Sequence, residues 1–84
     1  MNFKATIDIM PLKDLLDPQG KAVASSMVNL KIEQVNDVRI GKHIEMSLEA
    51  NSEKEAREKV KTACSKLLAN PVIEYYEFDL AEMG

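Results

Sequence analysis

The sequence predicts an α+β fold of the ferredoxin-like type, with a four-stranded antiparallel sheet and two helices on one of its faces. Three segments alternate between apolar and polar residues, a fourth is rich in β-branched and aromatic residues, and two others have helical periodicity. Their order is strand, helix, strand, strand, helix, strand, which is the βαββαβ order of ferredoxin-like folds. Right-handed crossovers then place both helices on the same face of the sheet.

The first strand is predicted over residues 2–10. Its apolar residues alternate with polar ones and are Phe3, Ala5, Ile7 and Ile9. This period of two indicates a strand that is buried on one face. Pro11 ends the strand, because proline cannot donate a hydrogen bond to a sheet.

The first helix is predicted to begin at Asp17–Pro18. The aspartate can cap the free backbone N–H groups, and proline at the first helical position loses nothing by lacking its own N–H. An apolar stripe follows at the spacing i, i+4, i+7 and consists of Val23, Met27 and Leu30. Gly20 weakens the helix by about 1 kcal/mol relative to alanine, which indicates a position that needs a bare backbone.

Two further strands and a hairpin are predicted over residues 35–50, where apolar and polar residues alternate on both sides of the segment 41–43. A three-residue loop there pairs Ile40 with Ile44 and keeps the apolar residues of both strands on one face, whereas a two-residue loop would set apolar residues opposite polar ones. We therefore expect a three-residue loop or a bulge, with Gly41 supplying a positive φ.

The second helix is predicted over residues 52–69. Ser52 and Glu55 form a capping box at its start, and Asn70–Pro71 stops it. Its apolar residues recur at the spacing i, i+4, i+7, i+11 and are Ala56, Val60, Ala63 and Leu67. This is the clearest helical pattern in the chain.

The last strand is predicted over residues 72–80, and residues 81–84 are expected to form a loose tail. The sheet face away from the helices is expected to be open. Its residues would include Lys4, Thr6, Asp8, Arg39, Glu45, Ser47 and Glu49. An open face and two unpaired edge strands favour self-association.

Composition and charge fit a single ordinary globular domain over residues 1–84 and argue against several classes of function. A net charge of −3 and a pI near 5.1 argue against binding to nucleic acid. The apolar runs are too short to span a membrane, and the N-terminal stretch does not have the pattern of a secretory signal. The single cysteine, Cys64, cannot form an intramolecular disulfide, so we expect a cytoplasmic protein.

The residues that could perform chemistry do not form a catalytic pattern. His43 is the only histidine and is interpreted as a surface turn residue, since a metal site would need further histidines or cysteines nearby. Cys64 lies in an apolar helical pattern and is expected to be buried. The helix start beside Lys21 is able to hold an anion, but helix capping accounts for most of its residues. We expect no catalytic residue, metal or cofactor in this chain.

Three segments together resemble a known family. They are residues 16–23 (LDPQGKAV), 35–45 (VNDVRIGKHIE) and 66–78 (KLLANPVIEYYEF). In this order and at this spacing they look like PurS, the small subunit of phosphoribosylformylglycinamidine (FGAM) synthase, and the resemblance covers essentially the whole chain. His43 is a departure, because this position is often aromatic in the family.

The resemblance implies an accessory subunit of a ligase in de novo purine biosynthesis. It implies a homodimer or tetramer and two partners, a large synthetase subunit and a glutaminase subunit that releases ammonia. The small subunit would bridge these partners and support ammonia transfer while FGAR, glutamine and ATP are converted to FGAM. ATP and Mg would be used by the complex, and this chain would bind neither itself.

Subunit contacts are expected at seven residues, several of which are polar or small where a simple fold needs neither. They are Asp17, Gln19, Gly20, Lys21, Arg39, Gly41 and Lys42. The alternative function is a small homodimeric regulatory domain that binds a ligand, since ferredoxin-like dimers often bind effectors between subunits. A third possibility, an RNA-binding module with bases stacked on Tyr75, Tyr76 and Phe78, is disfavoured by the acidic residues between them.

Overall fold

A computed structural model describes residues 1–15 and 17–83. The elements in chain order are strand β1 (Asn2–Pro11), helix α1 (Pro18–Met27), strand β2 (Lys42–Glu49), helix α2 (Glu53–Ala63) and strand β3 (Glu74–Met83). A 3₁₀ turn over Val28–Leu30 extends α1, and a π-helical turn over Cys64–Leu68 extends α2. The three strands form one antiparallel sheet in the order β2-β1-β3.

The α+β class and the antiparallel sheet are confirmed, but the described residues form three strands rather than four. Residues 32–41 are not in a strand, so the predicted strand around Ile40 and the hairpin that followed it are wrong. Residues 42 and 43, which were predicted to lie in the hairpin loop, begin β2. The physical reason is that the N–H of Ile40, which a hairpin would use, donates instead to the carboxylate of Asp17 at 2.9 Å.

The core lies between the sheet and α2. The apolar residues of the central strand β1 are buried as their alternation predicted, and Phe3, Ala5, Ile7 and Ile9 are at most 2% exposed. From the side of α2, Ala56, Val60 and Cys64 are fully buried against them. The expectation that Cys64 is buried is thus confirmed, and its burial raises the pKa of the thiol.

Helix α2 begins where the capping pattern predicted. The Ser52 hydroxyl accepts a hydrogen bond from the backbone N–H of Glu55 at 3.1 Å. The Glu55 carboxylate in turn lies 3.2 Å from Lys59 Nζ, one turn further along the helix, and this contact lowers the pKa of Glu55. The last turn widens to a π-helical turn and ends at Leu68, within one residue of the predicted end.

Helix α1 begins at Pro18 as predicted, but it does not lie on the sheet. Gly20 is the only buried residue of α1, and neither cluster of core residues contains a residue of this helix. The expectation that both helices cover one face of the sheet is therefore wrong. We call residues 17–41 the arm, and residues 1–11 with 42–83 the body. The radius of gyration is 16.6 Å, against about 12 Å for a compact domain of this length.

Strand β3 is longer than predicted and runs to Met83. Residues 81–83, expected to be part of a loose tail, pair with the first residues of β1, where Ala81 lies opposite Lys4 and Met83 opposite Asn2. Residue 84 lies outside the described residues. Residues 81–83 extend the strand because β1 begins at Asn2 and its first residues are available to pair with them. The sequence of residues 81–83 alone does not show that these partners exist.

Candidate interaction surfaces

A junction of polar side chains fastens the arm to the body, and Asp17 is at its centre. Its carboxylate accepts the backbone N–H of Gly20 at 3.0 Å and that of Ile40 at 2.9 Å. These two hydrogen bonds lower the pKa of Asp17, and the positive charge of Arg39, whose Nε lies 3.9 Å away, lowers it further. The carboxylate therefore caps α1 and holds the far end of the arm at the same time.

Arg39 binds the backbone at the end of β1. Its guanidinium donates to the carbonyl oxygens of Pro11 at 2.9 Å, Leu12 at 2.8 Å and Lys13 at 3.3 Å. The side chain is 23% exposed, and that of Asp17 is 11% exposed. Arg39 was expected on the open sheet face, and this placement is wrong, because its side chain is directed to carbonyls at the end of the sheet rather than across it.

Two glycines complete the junction because the backbones there lie too close for a side chain. A Cβ on Gly20 would lie 2.0 Å from the carbonyl oxygen of Val38, which confirms that this position needs a bare backbone. A Cβ on Gly41 would lie 2.2 Å from the carbonyl oxygen of Ile9. No glycine among the described residues has a positive φ, so the expectation of a positive φ at Gly41 is wrong. Gly41 is needed for a close approach instead.

The seven residues expected to contact other subunits divide into two groups. Asp17, Gly20, Arg39 and Gly41 lie in the junction just described. Gln19, Lys21 and Lys42 are exposed, and Lys42 Nζ lies 3.7 Å from the Glu74 carboxylate. The residues singled out from the sequence therefore do lie together, at one end of the sheet. Those in the junction hold the arm and the body of this chain together. Their contacts with other subunits stay a prediction.

A cleft of about 530 Å³ opens between the junction and the body. Apolar atoms make up most of its lining, which includes Pro11, Leu15, Pro18, Ile40 and Ile73, and its polar residues are Asp17, Gln19, Lys42 and Glu74. An anion at the start of α1 would face the Asp17 carboxylate, which already accepts the N–H of Gly20. The cleft is therefore better suited to an apolar group than to a phosphate.

The outer face of the sheet, opposite α2, is open and acidic. It carries Lys4, Thr6, Asp8, Glu45, Ser47 and Glu49 as predicted, and β3 adds Glu77 and Asp79. Lys4 Nζ lies 2.9 Å from the Glu45 carboxylate and lowers the pKa of that group. Lys4 is the one lysine or arginine on a face with five carboxylates, so this face repels other acidic surfaces.

His43 lies on this outer face rather than in a turn. It belongs to β2, and its Nδ1 lies 2.6 Å from the Asp8 carboxylate on β1. Both side chains are more than half exposed. The interpretation of His43 as a surface residue is correct, whereas its placement in a turn is wrong because β2 begins one residue earlier, at Lys42.

The arm carries an exposed apolar surface that sequence reasoning did not anticipate. The predicted apolar stripe of α1 is solvent-accessible, with Val23 37% and Leu30 70% exposed and Met27 partly buried. Next to it, Val28 is 72% and Ile32 46% exposed. Residues 22–30 (AVASSMVNL) contain no charged residue, although 30% of the chain is charged. The absence of charge is the signal in the sequence that distinguishes this helix from α2.

Comparison with known proteins gives consistent matches over nearly the whole chain. The family model for PurS, phosphoribosylformylglycinamidine (FGAM) synthase, matches residues 4–82. The PurS subunit of this synthase from Bacillus subtilis strain 168 is 38% identical over 81 residues, which cover 96% of this chain and 95% of the relative. The PurS subunit from Synechocystis sp. strain PCC 6803 is 46% identical over 69 residues, which cover 82% of this chain and 69% of the relative.

A similar structure comes from Thermotoga maritima. A chain in the structure of PurLQS from that organism superimposes with a TM-score of 0.87 and 36% sequence identity, over 96% of this chain and 99% of the other. The similarity therefore extends from the sequence to the arrangement of the arm and body.

Proposed function

The chain belongs to the PurS family, and from this premise we propose that it acts as the small, non-catalytic subunit of FGAM synthase in de novo purine biosynthesis. The observation that carries this proposal is the match of the family to residues 4–82, together with the close fit to a chain of PurLQS. In this complex, FGAR, glutamine and ATP are converted to FGAM. The chain takes part in that reaction as a subunit of the ligase.

The role within the complex is to bridge a large synthetase subunit and a glutaminase subunit and to support the transfer of ammonia between them. An elongated chain with dissimilar surfaces supports a bridging role. Its longest dimension is 51 Å, and it carries an acidic sheet face on the body and an uncharged helix face on the arm. Among the seven predicted contact residues, the exposed Gln19, Lys21 and Lys42 are the candidates for direct contact.

The ATP and Mg²⁺ of the reaction bind to other subunits in this proposal. The positive charges near the cleft support this view, because they already have partners. Arg39 donates to backbone carbonyls, and Lys42 lies beside the Glu74 carboxylate.

We expect the complex to act in the cytoplasm. No helix in residues 1–15 and 17–83 is long and apolar enough to cross a membrane.

The chain also associates with itself, as a homodimer or a tetramer. The sheet of the body is covered by the single helix α2. Apolar side chains of both edge strands, such as Met46 of β2 and Phe78 of β3, are therefore only partly buried. Small domains commonly gain stability by oligomerisation. Sedimentation of the isolated chain measures its mass directly.

A regulatory ligand-binding domain is the alternative, and the cleft of about 530 Å³ favours it. Its volume lies within the range of small-molecule sites. Calorimetry of the isolated chain with amino acids and nucleotides separates the two functions. The accessory-subunit proposal predicts no strong binding, whereas micromolar binding of one of these ligands supports the alternative.

Complex formation tests the proposed function. The chain is mixed with a synthetase subunit and a glutaminase subunit of the same system in the presence of glutamine and ATP, and the mixture is analysed by size-exclusion chromatography. We expect one complex that contains all three chains. Co-elution of the two large subunits with the small chain left free would contradict the proposal.

A further inference from the structure

The three segments that carry the family resemblance meet at one place in the fold, the cleft between the junction and the body. Eight of the ten described residues that line the cleft belong to these segments, although the segments make up fewer than half of the chain. Asp17 and Gly41 hold the junction together, but a role within the fold does not account for Gln19 and Ile73. Both of these side chains are exposed, and neither residue belongs to the core clusters. The cleft is therefore a candidate contact with another molecule.

The apolar lining of the cleft is not enclosed. Leu15 and Ile73, which line it, are exposed to solvent, and so is Val72, the neighbour of Ile73 in the chain. A small-molecule site buries most of its ligand in a concave pocket, whereas here the apolar side chains themselves are accessible. An exposed apolar surface with polar residues at its rim is typical of a contact with another protein. The occupant that fits is a bulky apolar side chain held on a segment of such a protein.

Charge indicates which residue lies beside that apolar side chain. Among the described residues that line the cleft, Asp17, Lys42 and Glu74 are charged. The two carboxylates are only 11% and 16% exposed and accept backbone N–H groups of this chain, whereas the Lys42 side chain is 61% exposed. Its Nζ lies 3.7 Å from the Glu74 carboxylate, which is longer than a hydrogen bond, so its N–H donors can bind a second acceptor. The accessible charge of the cleft is therefore positive, and its complement is a carboxylate.

We propose that the cleft binds a segment of one of the two larger subunits, in which a bulky apolar residue is followed or preceded by an acidic one. The apolar side chain packs against Leu15 and Ile73, and the carboxylate binds Lys42. One wall of the cleft belongs to the arm, with Pro18 and Ile40, and the other to the body, with Ile73. A bound segment therefore also fixes the arm against the body. This deepens the bridging role proposed above and rests on it.

A charge placed among the apolar residues of the cleft tests the proposal on the full chain. Dissociation constants are measured by calorimetry with the synthetase subunit, the glutaminase subunit and both together. Ile73→Glu is expected to weaken binding to at least one of them by about tenfold or more, as substitutions of interface hot spots do. Its circular dichroism should match the wild type, because Ile73 belongs to neither core cluster. Leu67→Glu is the matched control and should bind as the wild type does, since Leu67 is exposed and is not among the residues that line the cleft. Unchanged binding of Ile73→Glu to both subunits would overturn the proposal.

Variants of Lys42 test the charge. Lys42→Gln should weaken the same binding and make it less dependent on salt, because the interaction with the carboxylate is lost. Lys42→Arg keeps the positive charge and should retain the salt dependence. Lys61→Gln is the control, since Lys61 is an exposed lysine of α2 outside the cleft. Binding of Lys42→Gln with the affinity and salt dependence of the wild type would rule out the carboxylate.

A cross-link identifies the occupant directly. Ile73→Cys is labelled with a maleimide that carries a benzophenone, and Cys64 is fully buried and does not compete for the label. In the assembled complex the label should attach to a larger subunit, at a segment that contains an apolar and an acidic residue. Attachment to a second copy of this chain, or to no protein, would overturn the proposal. Assembly of the wild-type chain is measured separately, so a failure here leaves the proposed function as an FGAM synthase subunit intact.

Discussion

The carboxylate of Asp17 accepts the backbone N–H of Ile40 across 23 positions of the chain, at 2.9 Å. The same carboxylate caps α1 through Gly20. One side chain therefore closes the arm into a loop whose two ends meet at the sheet. Because the arm has no residues in the core clusters, this junction fixes the orientation of the arm relative to the body.

Asp17→Ala is expected to lower the stability of the arm. The substitution leaves the N–H groups of Gly20 and Ile40 without their acceptor and removes the negative charge opposite Arg39. The urea midpoint should fall, and proteolysis within residues 17–41 should become faster. Asp14→Ala is the matched control, because Asp14 is exposed and lies three positions earlier. Equal midpoints for the two variants would show that the junction does not stabilise the fold.

The contribution of Asp17 should also depend on pH in a defined direction. Its pKa is lower in the folded chain than in the unfolded one, so the unfolded state binds more protons in acid. The stabilisation is complete well above about pH 4 and is lost as the pH falls from there through the folded pKa. Urea midpoints of the wild type and Asp17→Ala should differ at pH 7 and converge as the pH falls below about 4. A constant difference across this range would contradict the assignment.

Gly20→Ala should destabilise the chain although alanine is the better helix former. The new Cβ would lie 2.0 Å from the carbonyl oxygen of Val38. Because this oxygen belongs to the backbone, relieving the clash requires the main chain to shift. We expect a loss of about 1–3 kcal/mol in the free energy of unfolding, the usual cost of overpacking. Ser25→Ala on the exposed side of the same helix should instead raise stability by a few tenths of a kcal/mol. A stabilising Gly20→Ala would mean that the close approach does not exist.

Arg39→Lys should be destabilising even though it keeps the charge. A lysine ammonium lacks the planar fork with which Arg39 reaches the carbonyls of Pro11 and Leu12. We expect a loss of about 2 kcal/mol in urea unfolding, in the range of hydrogen bonds to charged groups. Arg39→Glu should accordingly weaken both folding and assembly. This follows from the correction made above, since Arg39 was expected on the open sheet face and instead binds backbone carbonyls at the end of β1.

Local patterns predicted the parts of the fold that depend on neighbours in sequence. The alternation in β1, the caps at Asp17 and Ser52 and the helical period of α2 correspond to observed features. The last member of that period is an exception, because Leu67 is 80% exposed. The segment 32–41 was misassigned because an alternating pattern at Val38 and Ile40 does not reveal that a carboxylate 23 positions away takes the Ile40 N–H. Such a contact is non-local and leaves no periodic signal.

The candidate surfaces were predictable to different degrees. The acidic sheet face followed from the alternation of polar residues in β1 and β2, whereas Glu77 and Asp79 of β3 were not included because the register of the last strand is set by β1. The stripe of α1 was visible in the sequence, but its pattern does not say which surface covers it. The uncharged run over residues 22–30 was the missed signal.

The production of FGAM from glutamine is the most direct test of the proposed function. Synthetase and glutaminase subunits are assayed with FGAR and ATP, with and without this chain, and with either glutamine or excess ammonium as the nitrogen donor. Since the chain is proposed to support ammonia transfer, glutamine-dependent synthesis should require it, while ammonium-dependent synthesis by the synthetase should not. Glutamine-dependent synthesis at the same rate in the absence of the chain would contradict the account.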